Sequence, residues 1–113
     1  MNTTTLNALA EPTRLKIVEL LGNGPLTVGE VADRLQLKQP QASKHLKYLL
    51  DSGLVDMRPD ANKRICHLRL EPLMELDGWL ESYRKLWEVS FDRLADYLEE
   101  LQKSKTIIKS GEE

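Results

Sequence analysis

The sequence predicts a mainly α fold with a two-stranded β-hairpin. Three observations carry that prediction: two short amphipathic helices separated by a four-residue turn, a charged hairpin directly after them, and a long closing helix with an apolar stripe.

In chain order, Leu6, Leu9 and Ala10 suggest a short first helix. Glu11-Pro12-Thr13-Arg14 restarts the chain. Pro12 suits a helix start, where its missing N–H would be unpaired anyway. Leu15, Ile17, Val18, Leu20 and Leu21 continue into a mostly buried helix that stops at Gly22-Asn23-Gly24-Pro25. Thr27 and Glu30 then form a T-x-x-E capping box, each side chain satisfying a free backbone N–H of the other. Val28, Val31, Ala32 and Leu35 give that third helix one apolar face.

The turn Gln36-Leu37-Lys38-Gln39 lacks the glycine often found between such helices. A positive φ at Gln36 would cost on the order of 1 kcal/mol. The fourth helix is predicted to start at Pro40 and to bury Ala42, Leu46, Leu49 and Leu50. Its other side is basic and polar. Gly53 sits where a left-handed C-terminal cap is wanted. Next, 54–58 has strand composition, Pro59-Asp60-Ala61-Asn62 is turn chemistry, and 65–70 is the return strand. Cys66, Leu68 and Leu70 share one face of that strand; Ile65, His67 and Arg69 share the other. Arg58, Lys63 and Arg64 flank the turn, so the hairpin tip is basic.

From Glu71 the stripe Leu73, Leu76, Leu80, Tyr83, Trp87, Phe91, Leu94, Leu98 and Leu101 is spaced by three or four throughout. A helix over 71–105 would reach roughly 50 Å, longer than one small domain can cover. Part of the stripe must face something else. A second copy of the same helix fits, because aromatic and leucine-rich surfaces favour association. The predicted interface is Leu80, Tyr83, Trp87, Phe91, Leu94 and Leu98. Gly78 costs about 1 kcal/mol against alanine in a helix, and marks a kink, a break or a close helix contact. This order of parts is a winged helix-turn-helix dimerising through its terminal helices. It forms a single domain over 1–113, with a body at 6–70 and a dimerisation helix at 71–105. The tail from Ser104 is expected to fray.

Composition bounds the function. The chain of 113 residues carries a formal charge of −2 at pH 7, which at first argues against nucleic acid. The distribution reverses the argument. Seven bases face three acids over 38–69, whereas nine acids face three bases over 71–100. Salt screens over about 8 Å, so local patches outweigh the total. The basic region coincides with the helix pair and wing; the acidic helix should point away from DNA. The single Cys66 allows no intrachain disulfide and fits a reducing cytoplasm. No run approaches the roughly 20 apolar residues of a membrane span, and the first residues lack a signal-peptide pattern. A Ser/His/Asp set, a glycine-rich phosphate loop and a paired acidic cleft are all missing, so an enzyme is not expected.

The stretch Leu9-Ala10-Glu11-Pro12-Thr13-Arg14-Leu15-Lys16-Ile17-Val18-Glu19-Leu20-Leu21 resembles the opening of the ArsR family of bacterial and archaeal repressors. Gln39-Pro40-Gln41-Ala42-Ser43-Lys44-His45-Leu46-Lys47-Tyr48-Leu49 resembles its recognition helix, with Ser43-Lys44-His45-Leu46 the most typical part. Gly53-Leu54-Val55 before a basic hairpin fits too, so the match covers roughly 6–70. Trp79, Tyr83-Arg84 and Trp87 look like the branch of small, often autoregulatory members that lack metal sites. The resemblance implies a homodimer that binds a roughly palindromic operator in double-stranded DNA and blocks transcription.

On that reading Gln39 and Gln41, at the start of the recognition helix, reach bases, and glutamine can pair bidentately with adenine. Ser43 and Lys44 match family positions that face DNA, with Lys44 on a guanine or a phosphate. Lys47 holds the backbone one turn later. His45 is open between a base contact and a hydrogen bond within the domain. Arg58, Lys63 and Arg64 in the wing act on phosphates or the minor groove, giving affinity more than sequence choice. Thiolate sensors of the family carry a C-x-C pair early in the third helix, where this chain reads Leu26-Thr27-Val28-Gly29-Glu30-Val31. Zinc-binding members use Asp and His pairs on the last helix, where this chain has Asp77, Glu81, Glu88 and Asp92 but no histidine. No metal site and no cofactor are expected. Two alternatives stand beside this reading: a winged-helix module used only for protein contacts, and a repressor gated by a small organic ligand at the dimer interface. A protein effector is equally open.

Overall fold

The computed structural model describes the backbone of residues 3–112 and the side chains of residues 3–103. Eight elements follow in order: α1 (Thr3–Leu9), α2 (Pro12–Leu21), β1 (Leu26–Thr27), α3 (Val28–Leu35), α4 (Gln39–Asp51), β2 (Val55–Asp60), β3 (Lys63–Leu68) and α5 (Glu71–Glu112). The chain divides into two compact units between Asp77 and Gly78.

The first unit is the winged-helix body. Its core joins Ala8 of α1, Ile17 and Leu21 of α2, Val31 of α3, Leu46 and Leu49 of α4, and Cys66 of β3. Local chemistry sets the helix ends. The Thr27–Glu30 capping box forms as the sequence predicts: Glu30 N–H donates to Thr27 Oγ1 and Thr27 N–H to Glu30 Oε1, both at 3.1 Å. Gln36 ends α3 at φ 55°, ψ 43°, the left-handed geometry the turn demands of a non-glycine residue. Gly53 takes φ 79° after α4, and Leu54 N–H donates back to Leu49 O at 3.0 Å. That bond closes the helix and turns the chain into β2.

Several expectations are corrected. α4 begins at Gln39, not Pro40; proline is compatible with either of the first helical positions because their N–H groups have no helical partner. Leu15 and Leu50 are exposed, since each lies off the stripe that its helix turns to the core. The hairpin loop is two residues, Ala61-Asn62, with Pro59 and Asp60 inside β2 opposite Arg64 and Lys63. Pro59 is tolerated there because β2 is an edge strand. Ala61 takes the positive φ of 55° that the tight loop requires. Leu70 falls after β3 and is exposed, so only Cys66 and Leu68 keep the inward face. The sheet also has a third strand. β1 pairs antiparallel with β3, Thr27 opposite Ile65, giving the order β1-β3-β2. Two residues were too short to read as a strand from composition.

The second unit is the α5 segment after Asp77. α5 runs through Gly78 and on to Glu112, past the predicted end at Lys105. Among the described residues of one chain, a Cβ at Gly78 would meet nothing within 4 Å. The expected fraying from Ser104 concerns residues whose side chains are not described.

Candidate nucleic-acid interface

α4 presents three sides. Ala42, Leu46 and Leu49 point into the core with no exposed surface. Gln39, Ser43 and Lys47, spaced by four, line one wall of a groove of about 750 Å³. The wing tip, Asn62, Lys63 and Arg64, lines the same groove, together with Val28 and Gly29 at the start of α3, Leu50 of α4 and Met57 of β2. Among the described residues, no acidic side chain lines this groove. The hairpin register forces the arrangement: with Asp60 opposite Lys63, the two-residue loop throws Lys63 and Arg64 to the free end of the sheet. The β1–β3 pairing then fixes that sheet against the start of α3.

Five predicted residues therefore converge: Gln39, Ser43, Lys47, Lys63 and Arg64. Three do not line the groove. Lys44 is exposed and two residues from both Ala42 and Leu46, so it leaves α4 on the side away from the core. Gln41 is also exposed, but its Oε1 accepts from Lys38 N–H at 3.2 Å, which ties it to the start of its own helix. Arg58 Nε donates to Asp56 Oδ2 at 3.1 Å on the same strand, which partly neutralises it. Asn62 and Met57 were not singled out from sequence. The tip position of Asn62 is visible only once the loop is known to be two residues long.

The third side of α4 faces the α1–α2 corner. His45, half-buried, places Nδ1 3.7 Å from Glu11 Oε2. That carboxylate also accepts from Arg14 N–H at 2.8 Å, as the cap of α2. The hydrogen bond, helped by a second from the Thr13 backbone and by the Arg14 guanidinium, holds the Glu11 carboxyl below its ordinary value of 4.5. The capping bonds to Thr27 do the same for Glu30. Arg14 was not picked out from sequence, because nothing in a lone arginine after Pro-Thr reveals a tertiary partner. Its guanidinium lies 3.9 Å from the centre of the Tyr48 ring on α4.

On α5, Trp79, Leu80, Tyr83, Leu86 and Trp87 line a shallow, nearly apolar groove of about 590 Å³. Trp79 and Tyr83 meet edge to face at 5.3 Å. Farther along, Phe91, Leu94 and Leu98 are each more than half exposed.

Known proteins resemble this chain in sequence and fold. A helix-turn-helix domain family matches residues 9–58. The transcriptional regulator Rv2034 of Mycobacterium tuberculosis is 48% identical over 61 residues, 54% of this chain and 57% of its own length. An arsenical resistance operon repressor of Staphylococcus xylosus is 38% identical over 68 residues, 60% of this chain and 65% of its own. The chain thus spans less than two thirds of these curated relatives. Among solved structures, the ArsR-family transcriptional regulator RHA00566 is 34% identical with a TM-score of 0.68, covering 76% of this chain and 94% of that one. The chain belongs to the ArsR family. The helix-turn-helix match at residues 9–58 covers α3 and α4, which supply Gln39, Ser43 and Lys47 to the groove. Among the described residues, no group of three or more His, Cys, Asp or Glu side chains is placed to hold a metal ion. No helix there is long and apolar enough to cross a membrane. Cys66 is fully buried, and burial pushes its thiol up from the ordinary value of 9.0. That favours the unreactive thiol over the nucleophilic thiolate.

Proposed function

We propose that this chain is a cytoplasmic homodimeric repressor that binds a roughly palindromic operator in duplex DNA. The observation that carries the reading is the acid-free groove between Gln39, Ser43 and Lys47 of α4 and Lys63 and Arg64 of the wing. A helix with polar residues at four-residue spacing can lie in a major groove while a basic hairpin tip follows the backbone beside it. Gln39 and Ser43 read base edges. Lys47, Lys63 and Arg64 hold phosphates, which set affinity and register without reading sequence. Lys44, on the outer side of α4, reaches a guanine or a phosphate. Gln41 and Arg58 serve DNA only by giving up contacts they already make, so their contribution is the weaker.

The dimer rests on α5. Tyr83, Trp87, Phe91, Leu94 and Leu98 stay partly exposed in one chain, and covering that remaining apolar surface gains roughly 25 cal/mol per Å². A second α5 buries it, and a palindromic operator offers the dimer's two recognition helices successive major grooves about 34 Å apart. The repressor named among the relatives supports blocking of transcription as the outcome.

The test is fluorescence anisotropy on DNA from just upstream of the protein's own gene, against a scrambled duplex, at about 150 mM salt. A dimeric repressor gives tight, sequence-dependent binding and a footprint of two half-sites. Selection from a random duplex pool that returns no preferred sequence would overturn the DNA reading in favour of a protein-contact module.

A further inference from the structure

We infer that Arg14 is a positioning residue for the recognition helix, acting through the ring of Tyr48, so that sequence discrimination depends on a side chain that touches no DNA. The inference rests on the DNA-binding reading above.

Arg14 is anchored before it reaches α4. Its Nε donates to Ala8 O at 2.8 Å and its Nη2 to Asn7 O at 3.0 Å, both carbonyls at the C-terminal end of α1. A guanidinium is planar, so its edge can serve carbonyls while its face stays free for a ring. That face lies 3.9 Å from the Tyr48 ring centre. A second tether runs beside it: Glu11 Oε2 takes the Arg14 N–H and faces His45 Nδ1 at 3.7 Å. His45 and Tyr48 are three residues apart on α4 and so share one side of the helix.

The two tethers act on a helix whose core contact leaves one freedom. Ala42, Leu46 and Leu49 hold α4 against the body along one stripe, and on this inference the movement left to the helix is a roll about that stripe. Tyr48 is 44% exposed, so the Arg14 contact adds little to the core. It instead limits the roll, and a roll would swing Gln39 and Ser43 along the groove. Base-edge hydrogen bonds tolerate little misplacement, whereas phosphate contacts from flexible lysines tolerate much. Loosening the tether should therefore cost operator binding and spare non-specific binding.

The experiment uses the full chain, an operator selected by the wild type from a random duplex pool, and an unrelated duplex of equal length. Tyr48→Leu removes the ring and Tyr48→Phe keeps it. Tyr48→Leu is expected to lower the operator-to-unrelated affinity ratio about fivefold, with the unrelated affinity and its salt slope unchanged. Tyr48→Phe is expected to match the wild type. Arg14→Gln is expected to reproduce Tyr48→Leu, and the double variant to lose no more than either alone. If Arg14→Gln does not fold, the two Tyr48 variants decide. A ratio within about twofold of wild type for Tyr48→Leu overturns the inference. So does an equal loss in Tyr48→Phe, which would mean the hydroxyl itself meets DNA, or a reduced salt slope, which would mean a phosphate contact. A wild type that selects no sequence overturns the DNA reading and this inference with it. A wild-type preference that Tyr48→Leu leaves within about twofold overturns the inference alone.

Discussion

α4 and the far part of α5 are both amphipathic helices, and they differ in which face their own chain satisfies. In α4 the apolar residues Ala42, Leu46 and Leu49 are fully buried, and the polar residues Gln39, Ser43, Lys44 and Lys47 face outward. In α5 beyond Gly78 the apolar residues are exposed together with the polar ones, Phe91 at 65% and Leu94 and Leu98 at 51%. A helix binds partners with the face that its fold leaves unpaired. α4 therefore offers hydrogen-bonding and positive groups, and α5 offers hydrocarbon.

The comparison breaks most visibly at Leu46. Leu46→Ala is expected to destabilise the body by about 2–5 kcal/mol in urea or thermal unfolding, the cost of a cavity in a packed core. Leu94→Ala removes a side chain of the same size and should leave the unfolding of the winged-helix body unchanged, lowering only concentration-dependent stability. Equal losses at the two sites would mean that α5 is packed within its own chain.

Trp87→Ala comes next. A central aromatic in an interface costs about 2 kcal/mol or more when truncated, so the dimer dissociation constant should rise about 30-fold or more in sedimentation equilibrium. The body should keep its helical signal. An unchanged association constant would remove the stripe from the interface.

Much of this contrast was legible in the sequence, because three-and-four spacing and the Thr27–Glu30 cap are local signals. The α3–α4 pair, the Gly53 turn and the long helix all follow from residues close in the chain. What was hidden depends on partners far apart. The β1 strand exists only because Leu26 and Thr27 meet Cys66 and Ile65, and the composition of two residues cannot announce that. The loop shrank to Ala61-Asn62 because strand pairing outweighed the turn chemistry of Pro59 and Asp60. At the candidate site, residue types were readable but their company was not. Gln39, Ser43 and Lys47 converge with Lys63 and Arg64, whereas Gln41 turns to Lys38 and Arg58 to Asp56.

A sharper contrast lies within the basic surface. Lys44→Ala should weaken operator binding by about 1–3 kcal/mol if it reads a guanine, and leave the dimer intact. Lys63→Ala should weaken all duplexes alike and lower the salt slope by about 0.9, one phosphate's worth. Titrations on operator and scrambled DNA at several salt concentrations separate the two. Uniform weakening in Lys44→Ala would move that lysine to the backbone class, and an unchanged slope in Lys63→Ala would detach the wing from DNA.

The smallest effect is electrostatic and belongs to the body alone. Glu11 and Glu30 cap α2 and α3, and each is held below its ordinary value of 4.5, first by the backbone N–H it accepts. A carboxyl depressed on folding binds its proton more weakly folded than unfolded, so it stabilises the fold fully above the unfolded value. That contribution is lost as pH falls through the lower, folded value. Stability measured by urea unfolding between about pH 6 and about pH 3 should therefore fall more steeply in the wild type than in a Glu11→Gln, Glu30→Gln double variant. Glutamine keeps an acceptor oxygen for each cap but has no proton to gain. Both carboxylates are solvent-accessible, so the difference is modest and confined to pH values below 4.5. Parallel curves would mean that the caps act as geometry alone, with the negative charge adding nothing to the helices that support α4.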